Sequence, residues 1–192
     1  MNTPSMKEMQ RVAALWQKCD SFARYKADDE KLRALFVKFP HNTKLDEVVQ
    51  KVRLLDVLYS AGATRNAGSA RVIAEKIVKI KDFDKRLKNG DIELVSELTS
   101  SFKRKIISFS SKFCALHSEF IYKNEDNFVI YDSLVCKQLK HFKKQDKFTK
   151  LGIDTSDYSQ FKQILEEFRA FYKLKCSLRE LDWYLWKLGK MD

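Results

Sequence analysis

The sequence predicts an all-α protein, and three observations predict it. Apolar residues recur at three- and four-residue intervals along most of the chain, the spacing that gathers them on one face of a helix. The 192 residues include only five glycines and two prolines, too few for the many tight turns of an all-β fold. Hydrophobic residues make up 44%, enough for the core of one ordinary domain or of two tightly packed lobes.

Residues 6–26 read as a first helix, with Met9, Val12, Leu15, Trp16 and Phe22 on or near one face. A second covers 28–39 through Leu32, Leu35, Phe36 and Phe39. Pro40 ends it, because a proline pushes the residue before it out of the helical region. A third covers 46–59 and carries Val48, Val49, Val52, Leu55 and Leu58. Residues 60–68, rich in Gly and Ala, read as a loop. Helices follow over 69–80 and 83–88, the latter stopped by Asn89-Gly90. Asp91 caps another that runs to about residue 100.

Residues 101–107 form a basic, apolar-backed segment that leads into a turn at 108–111. Helix resumes over 113–121, 124–127 turns the chain, and 128–131 is a short extended run. Asp132 then caps a helix to roughly residue 142. After a polar stretch at 143–158, helices over 159–173 and 177–188 close the chain. Tandem repeats and low-complexity tracts are absent, although 137–150 is rich in lysine.

Lys and Arg number 37 against 26 Asp and Glu, a net charge of +11. Such a charge attracts polyanions and speeds encounter with them, so nucleic acid is the first partner to expect, ahead of an acidic protein. The four cysteines (Cys19, Cys114, Cys136, Cys176) lie far apart, without the paired spacing of zinc or iron–sulfur sites. Free thiols in a reducing cytoplasm are the expectation, with no metal and no organic cofactor. His117 and His141 have no partner at metal-binding spacing. Residues 1–10 contain no apolar run of the signal-peptide kind, and no long apolar stretch suggests a membrane span.

Two residues stand out for chemistry. Lys112 follows the expected turn, and Asp132 begins a helix twenty residues later. A lysine amine is a nucleophile only when deprotonated, and burial or a helix N-terminus favours the neutral form. A carboxylate held rigidly by the lead-in Ile130-Tyr131 could take the proton of such an amine. It could also stabilise positive charge growing on a sugar as its base departs. The turn of Ser108, Phe109, Ser110 and Ser111 would present backbone N–H groups to a phosphate.

These residues resemble a known family. Ser108 to Phe113, followed by Ile130-Tyr131-Asp132-Ser133, resembles the hairpin, lysine and aspartate of helix-hairpin-helix DNA glycosylases. The compact bacterial and archaeal 8-oxoguanine DNA glycosylases are the most similar. Glu180-Leu181-Asp182-Trp183-Tyr184-Leu185-Trp186 resembles their C-terminal helix, which helps form the base pocket. Val52 to Ser60 resembles an early helix before a DNA-contacting loop. Ser108 and Ser110 stand where that family has hairpin glycines, and the chain ends Met191-Asp192 where some relatives have a terminal lysine.

The resemblance implies a single helical domain with a cleft between two lobes, 48–130 against 1–47 plus 131–192. It implies a monomer that flips a modified base out of double-stranded DNA and excises it, the base being 8-oxoguanine or another, including one in phage DNA. Lys112 would be the Schiff-base nucleophile, with AP-lyase chemistry open to it, and Asp132 its electrostatic partner. Trp186, Trp183 and Asp182 would hold the extruded base, by stacking and by reading an N–H. Lys103, Arg104 and Lys105 before the hairpin, and Lys137, Lys140 and Lys144 on one side of the helix after Asp132, would meet phosphates. Two other readings fit the same residues: a glycosylase using water activated by Asp132, and a non-catalytic helical module that binds DNA or an acidic protein.

Overall fold

A computed structural model describes residues 2–59, 61–103, 106–153 and 156–191. All regular structure among them is helical. The eleven helices are α1 (Met6–Gln17), α2 (Phe22–Lys38), α3 (Leu45–Leu58), α4 (Ala63–Ala67), α5 (Ala70–Lys79), α6 (Phe83–Lys88), α7 (Glu93–Ser100), α8 (Ile107–Tyr122), α9 (Ser133–Asp146), α10 (Tyr158–Phe171) and α11 (Leu178–Met191). No helix among the described residues is long and apolar enough to cross a membrane.

α8 is the axis of the molecule. Its residues from Phe109 to Ser118 are all buried, and α2, α3, α6 and α7 pack around it. Phe113 meets Phe36 of α2 and Phe83 of α6 at centroid distances of 5.5 and 6.1 Å. Beside this group, α9 and α11 pack side by side. They approach so closely that a Cβ on Gly189 would lie 2.9 Å from Leu134 Cβ, so glycine is what lets α11 lie there. One continuous apolar cluster runs from Val12 to Leu188.

Three sequence expectations change. The helix expected over 6–26 breaks after Gln17, where Lys18 and Cys19 donate to the carbonyls of Leu15 and Trp16 at 3.0 Å each. Cys19, Asp20 and Ser21 are poor helix formers, and the bend brings Tyr25 to 5.6 Å from Trp16. The expected loop at 60–68 contains α4, whose first N–H groups are taken by the Asp56 carboxylate: Ala63 N at 2.7 Å and Thr64 N at 3.0 Å. The third change concerns 108–111, which is not a turn. Ser108, Phe109, Ser110 and Ser111 are helical residues of α8, and Ser110 N already donates to Ile106 O at 2.9 Å. With no break between the serines and Phe113, a helix is continuous where a hairpin was expected.

Residues 128–131 carry no helix, and Asp132 caps α9 as the sequence predicts. Phe128, Val129 and Ile130 are buried. The Tyr158 hydroxyl accepts from Val129 N and donates to Val129 O, each at 2.9 Å, so it satisfies this strandless backbone.

Candidate functional site

The side chain of Lys112 emerges from the second turn of α8 toward the start of α9. Its Nζ donates to Ser108 Oγ at 3.0 Å, one helical turn back, and to Asp132 Oδ2 at 3.4 Å. The other Asp132 oxygen, Oδ1, accepts from Leu134 N at 2.9 Å and caps α9. One carboxylate therefore does two jobs, and the cap fixes the orientation in which it meets the amine. Ser111 completes the arrangement: its Oγ accepts from Tyr131 N at 2.9 Å and donates to Ser108 O at 3.1 Å. That bond pins the residue before Asp132 to α8. The serine expected at a phosphate is instead a brace between the two chemically interesting side chains.

Lys112 and Asp132 share the wall of a cavity of about 580 Å³. Ser108, Tyr131, Asp182, Trp183, Trp186 and Lys190 line it too, with Arg24, Tyr25 and Tyr59 on the α2 and α3 side. Such a volume accommodates a flat heteroaromatic group with its sugar. Trp186 is half-buried in an aromatic group: Trp16, Tyr25 and Trp183 stand edge-on to it at 5.3, 5.1 and 5.4 Å. Lys190 Nζ lies 5.2 Å from the Trp186 ring and 5.7 Å from Tyr25.

Asp182 is 3% exposed. Its Oδ2 accepts from Arg179 Nη1 at 2.7 Å, while Oδ1 has no hydrogen-bond partner among the described residues. Burial pushes its carboxyl up to about 7, with Arg179 acting in the opposite direction. Asp132 adds to the rise and Lys112 opposes it, so the three groups share one local field.

The sequence-predicted site thus divides. Lys112, Asp132, Asp182, Trp183, Trp186 and Ser108 meet at one cavity. Phe109, Ser110 and Ser111 do not join them: all three are fully buried in the helix and offer nothing to a phosphate at the surface. Lys103 is exposed, and Arg104 and Lys105 lie outside the described residues. Lys137, Lys140 and Lys144 are exposed on α9. Lys140 and Lys144 border an open depression of about 410 Å³ with Lys143, Lys147 and Ile153. Sequence reasoning missed Tyr25, Tyr59 and Arg179. Arg179 had a visible signal, since it precedes Asp182 by three residues and so shares its helix face. Tyr25 was hidden inside a helix expected to be continuous.

Comparison with known proteins places residues 8–126 on the family model HI_0787_N, described as an N-terminal domain. That span includes Lys112 and stops short of Asp132 and α11. An uncharacterized protein of Haemophilus influenzae is 40% identical over 154 residues, covering 78% of this chain and 69% of that protein. No solved structure matches the chain.

Proposed function

The chain belongs to the HI_0787_N N-terminal domain family, and from the geometry of its cavity we propose that it is a DNA N-glycosylase. One observation carries the reading: an amine and a carboxylate 3.4 Å apart, 20 residues apart in sequence, both in the wall of a cavity lined by two tryptophans and a buried aspartate. In this reading the cavity is the cleft between two lobes, and double-stranded DNA carrying a modified base is the substrate. The base is turned out of the helix and lies against Trp183 or Trp186, a stacking contact of about 1–3 kcal/mol. The net charge of +11 draws the duplex in, and the α9 lysines follow its backbone.

The chemistry follows from the pair. Lys112 Nζ attacks C1′ of the sugar as the free amine, and the proton it sheds once the new bond has formed passes to Asp132. The C1′–Nζ bond forms as the bond from C1′ to the base breaks, and the base leaves with its bonding electrons and takes up a proton. Negative charge at Asp132 favours the oxocarbenium-like transition state over the ground state. Opening of the sugar ring gives an imine, and loss of a proton from C2′ can then expel the 3′ phosphate.

Borohydride reduction in the presence of duplexes bearing different modified bases, 8-oxoguanine among them, tests this. A covalent protein–DNA adduct is expected with wild type and none with Lys112→Gln. An adduct that survives Lys112→Gln removes Lys112 from the mechanism. Abasic product without an adduct assigns the attack to water activated by Asp132. Salt-sensitive DNA binding with no abasic product on any substrate replaces the enzyme by a binding module.

A further inference from the structure

A chain of six polar side chains leaves the cavity wall, passes through the partly exposed Asp29 and Arg33 and returns to it. Tyr59 donates through its hydroxyl to Asp29 Oδ1 at 3.1 Å. Asp29 Oδ2 lies 3.9 Å from Arg33 Nη2, which donates to Glu119 Oε1 at 2.7 Å. Glu119 Oε2 accepts from Arg179 Nε at 2.8 Å, and Arg179 Nη1 donates to Asp182 Oδ2 at 2.7 Å. Tyr59 and Asp182, the two ends, both line the cavity.

Arg179 is the hinge of this arrangement. It is 6% exposed, and its Cζ lies 4.9 Å over the Trp183 ring. Its planar fork reaches one carboxylate on its own helix and another on α8, the helix that carries Lys112. A lysine offers a single charged point and cannot span both. Buried ion pairs of this kind add little stability over well-packed apolar residues, so stability alone is a poor account of the chain.

We propose that Arg179, oriented by Glu119, is a positioning residue: it clamps one oxygen of Asp182 and leaves the other, Oδ1, as a fixed acceptor for an N–H donor of the ligand in the cavity. The charged groups that act on Asp182 are Arg179 from its own helix, Asp132 from the start of α9 and Lys112 from α8. Tyr158 of α10 is coupled to it as well. Burial favours the protonated carboxyl and Arg179 favours the carboxylate. Loss of the guanidinium shifts Asp182 further toward the protonated form, which presents an O–H donor where the carboxylate presents an acceptor. The ligand class is therefore one with an N–H edge, and it is a nucleobase if the glycosylase reading holds.

The test is a ¹³C NMR titration of the Asp182 carboxyl in the full-length chain, assigned by its loss in Asp182→Asn. Arg179→Met is expected to raise the midpoint by about one pH unit or more, and Arg179→Lys by less. The double variant Glu119→Leu/Arg179→Met removes the buried cation and its half-buried partner together and keeps the measurement available if the single variant fails to fold. It too should raise the midpoint, because the lost cation touches Asp182 and the lost anion does not. A midpoint unmoved in the folded variants overturns the proposal. Borohydride trapping of an 8-oxoguanine duplex across pH is the second arm. Its acidic limb should shift upward with the NMR midpoint. If wild type traps no adduct yet the midpoint moves, the glycosylase reading fails and the positioning role stands.

Discussion

Lys51 and Lys112 are both buried, at 0% and 5% exposure, on helices that pack together in one core. Their surroundings differ in kind. Lys51 Nζ donates to Phe39 O and His41 O at 3.0 Å each and to Asn42 Oδ1 at 2.6 Å. Three acceptors use all three protons of an ammonium. The rings of Phe36 and Phe113 cover it at 5.5 and 5.9 Å. Those acceptors lie at and just beyond the end of α2, where backbone carbonyls need donors and a cation is favoured. Lys112 has two acceptors among the described residues, Ser108 and Asp132, and borders an open cavity. Burial therefore does not mark a working lysine. On the proposed reading, spare donor capacity beside a space that a ligand can enter does.

The sharpest break of this comparison is thermodynamic. Lys51→Met strands the Phe39 and His41 carbonyls and the Asn42 amide oxygen against an apolar side chain, and it should cost about 3–5 kcal/mol. Lys112→Met should cost about 1 kcal/mol or less, because Asp132 keeps its cap on α9 and remains near solvent. Urea midpoints at constant slope measure both. Equal losses would erase the distinction between a structural lysine and a chemical one.

A smaller effect sharpens the same contrast through pH. Burial lowers the Lys51 amine to about 8, with Asp84 and then Glu47 opposing the shift. Below pH 8 the folded and unfolded chains both bind the proton, and the burial cost is fully in place. Between about 8 and 10.4 the unfolded chain keeps a proton that the folded state has released, so this group makes stability rise with pH, by about 3 kcal/mol at most. Two of the thiols act the other way. Burial raises both Cys114 and Cys176, so stability from them is lost as pH rises past their unfolded values. The readout is therefore the difference between wild type and Lys51→Met across this window. A difference that stays flat would show that Lys51 titrates alike in both states.

What could be read from the sequence follows the same division. Asp132 as a helix cap and the run before it were legible because both signals are local: an aspartate before a helical pattern, and four residues of extended type. The turn at 108–111 was misread because serines favour both turns and helix starts, and because α8 is buried on every side, which removes the polar face that marks a helix. Lys51 had a signal that went unused, since it falls three residues after Val48 and four before Leu55, on the apolar face. The Arg179–Asp182 pair was accessible from its spacing. Glu119 was not, for it lies 60 residues from Arg179 and only the tertiary fold brings them together. Local chemistry is written in short spacing, whereas the groups that orient it come from distant segments.

A small expected change in stability carries the largest functional contrast. Asp132→Asn keeps a side-chain oxygen for Leu134 N, and asparagine caps helices as well as aspartate does. The variant loses the charge opposite Lys112 but leaves that amine its bond to Ser108 Oγ, so the cost should be about 1 kcal/mol. Asp132→Ala also loses the cap and should cost about 1 kcal/mol more. Adduct formation should vanish in both, because neither can take the proton of Lys112 or offset charge on the sugar. DNA binding, measured at one fixed salt concentration, should change little in Asp132→Asn. If the asparagine variant excises the base at the wild-type rate, Asp132 is a helix cap and nothing more.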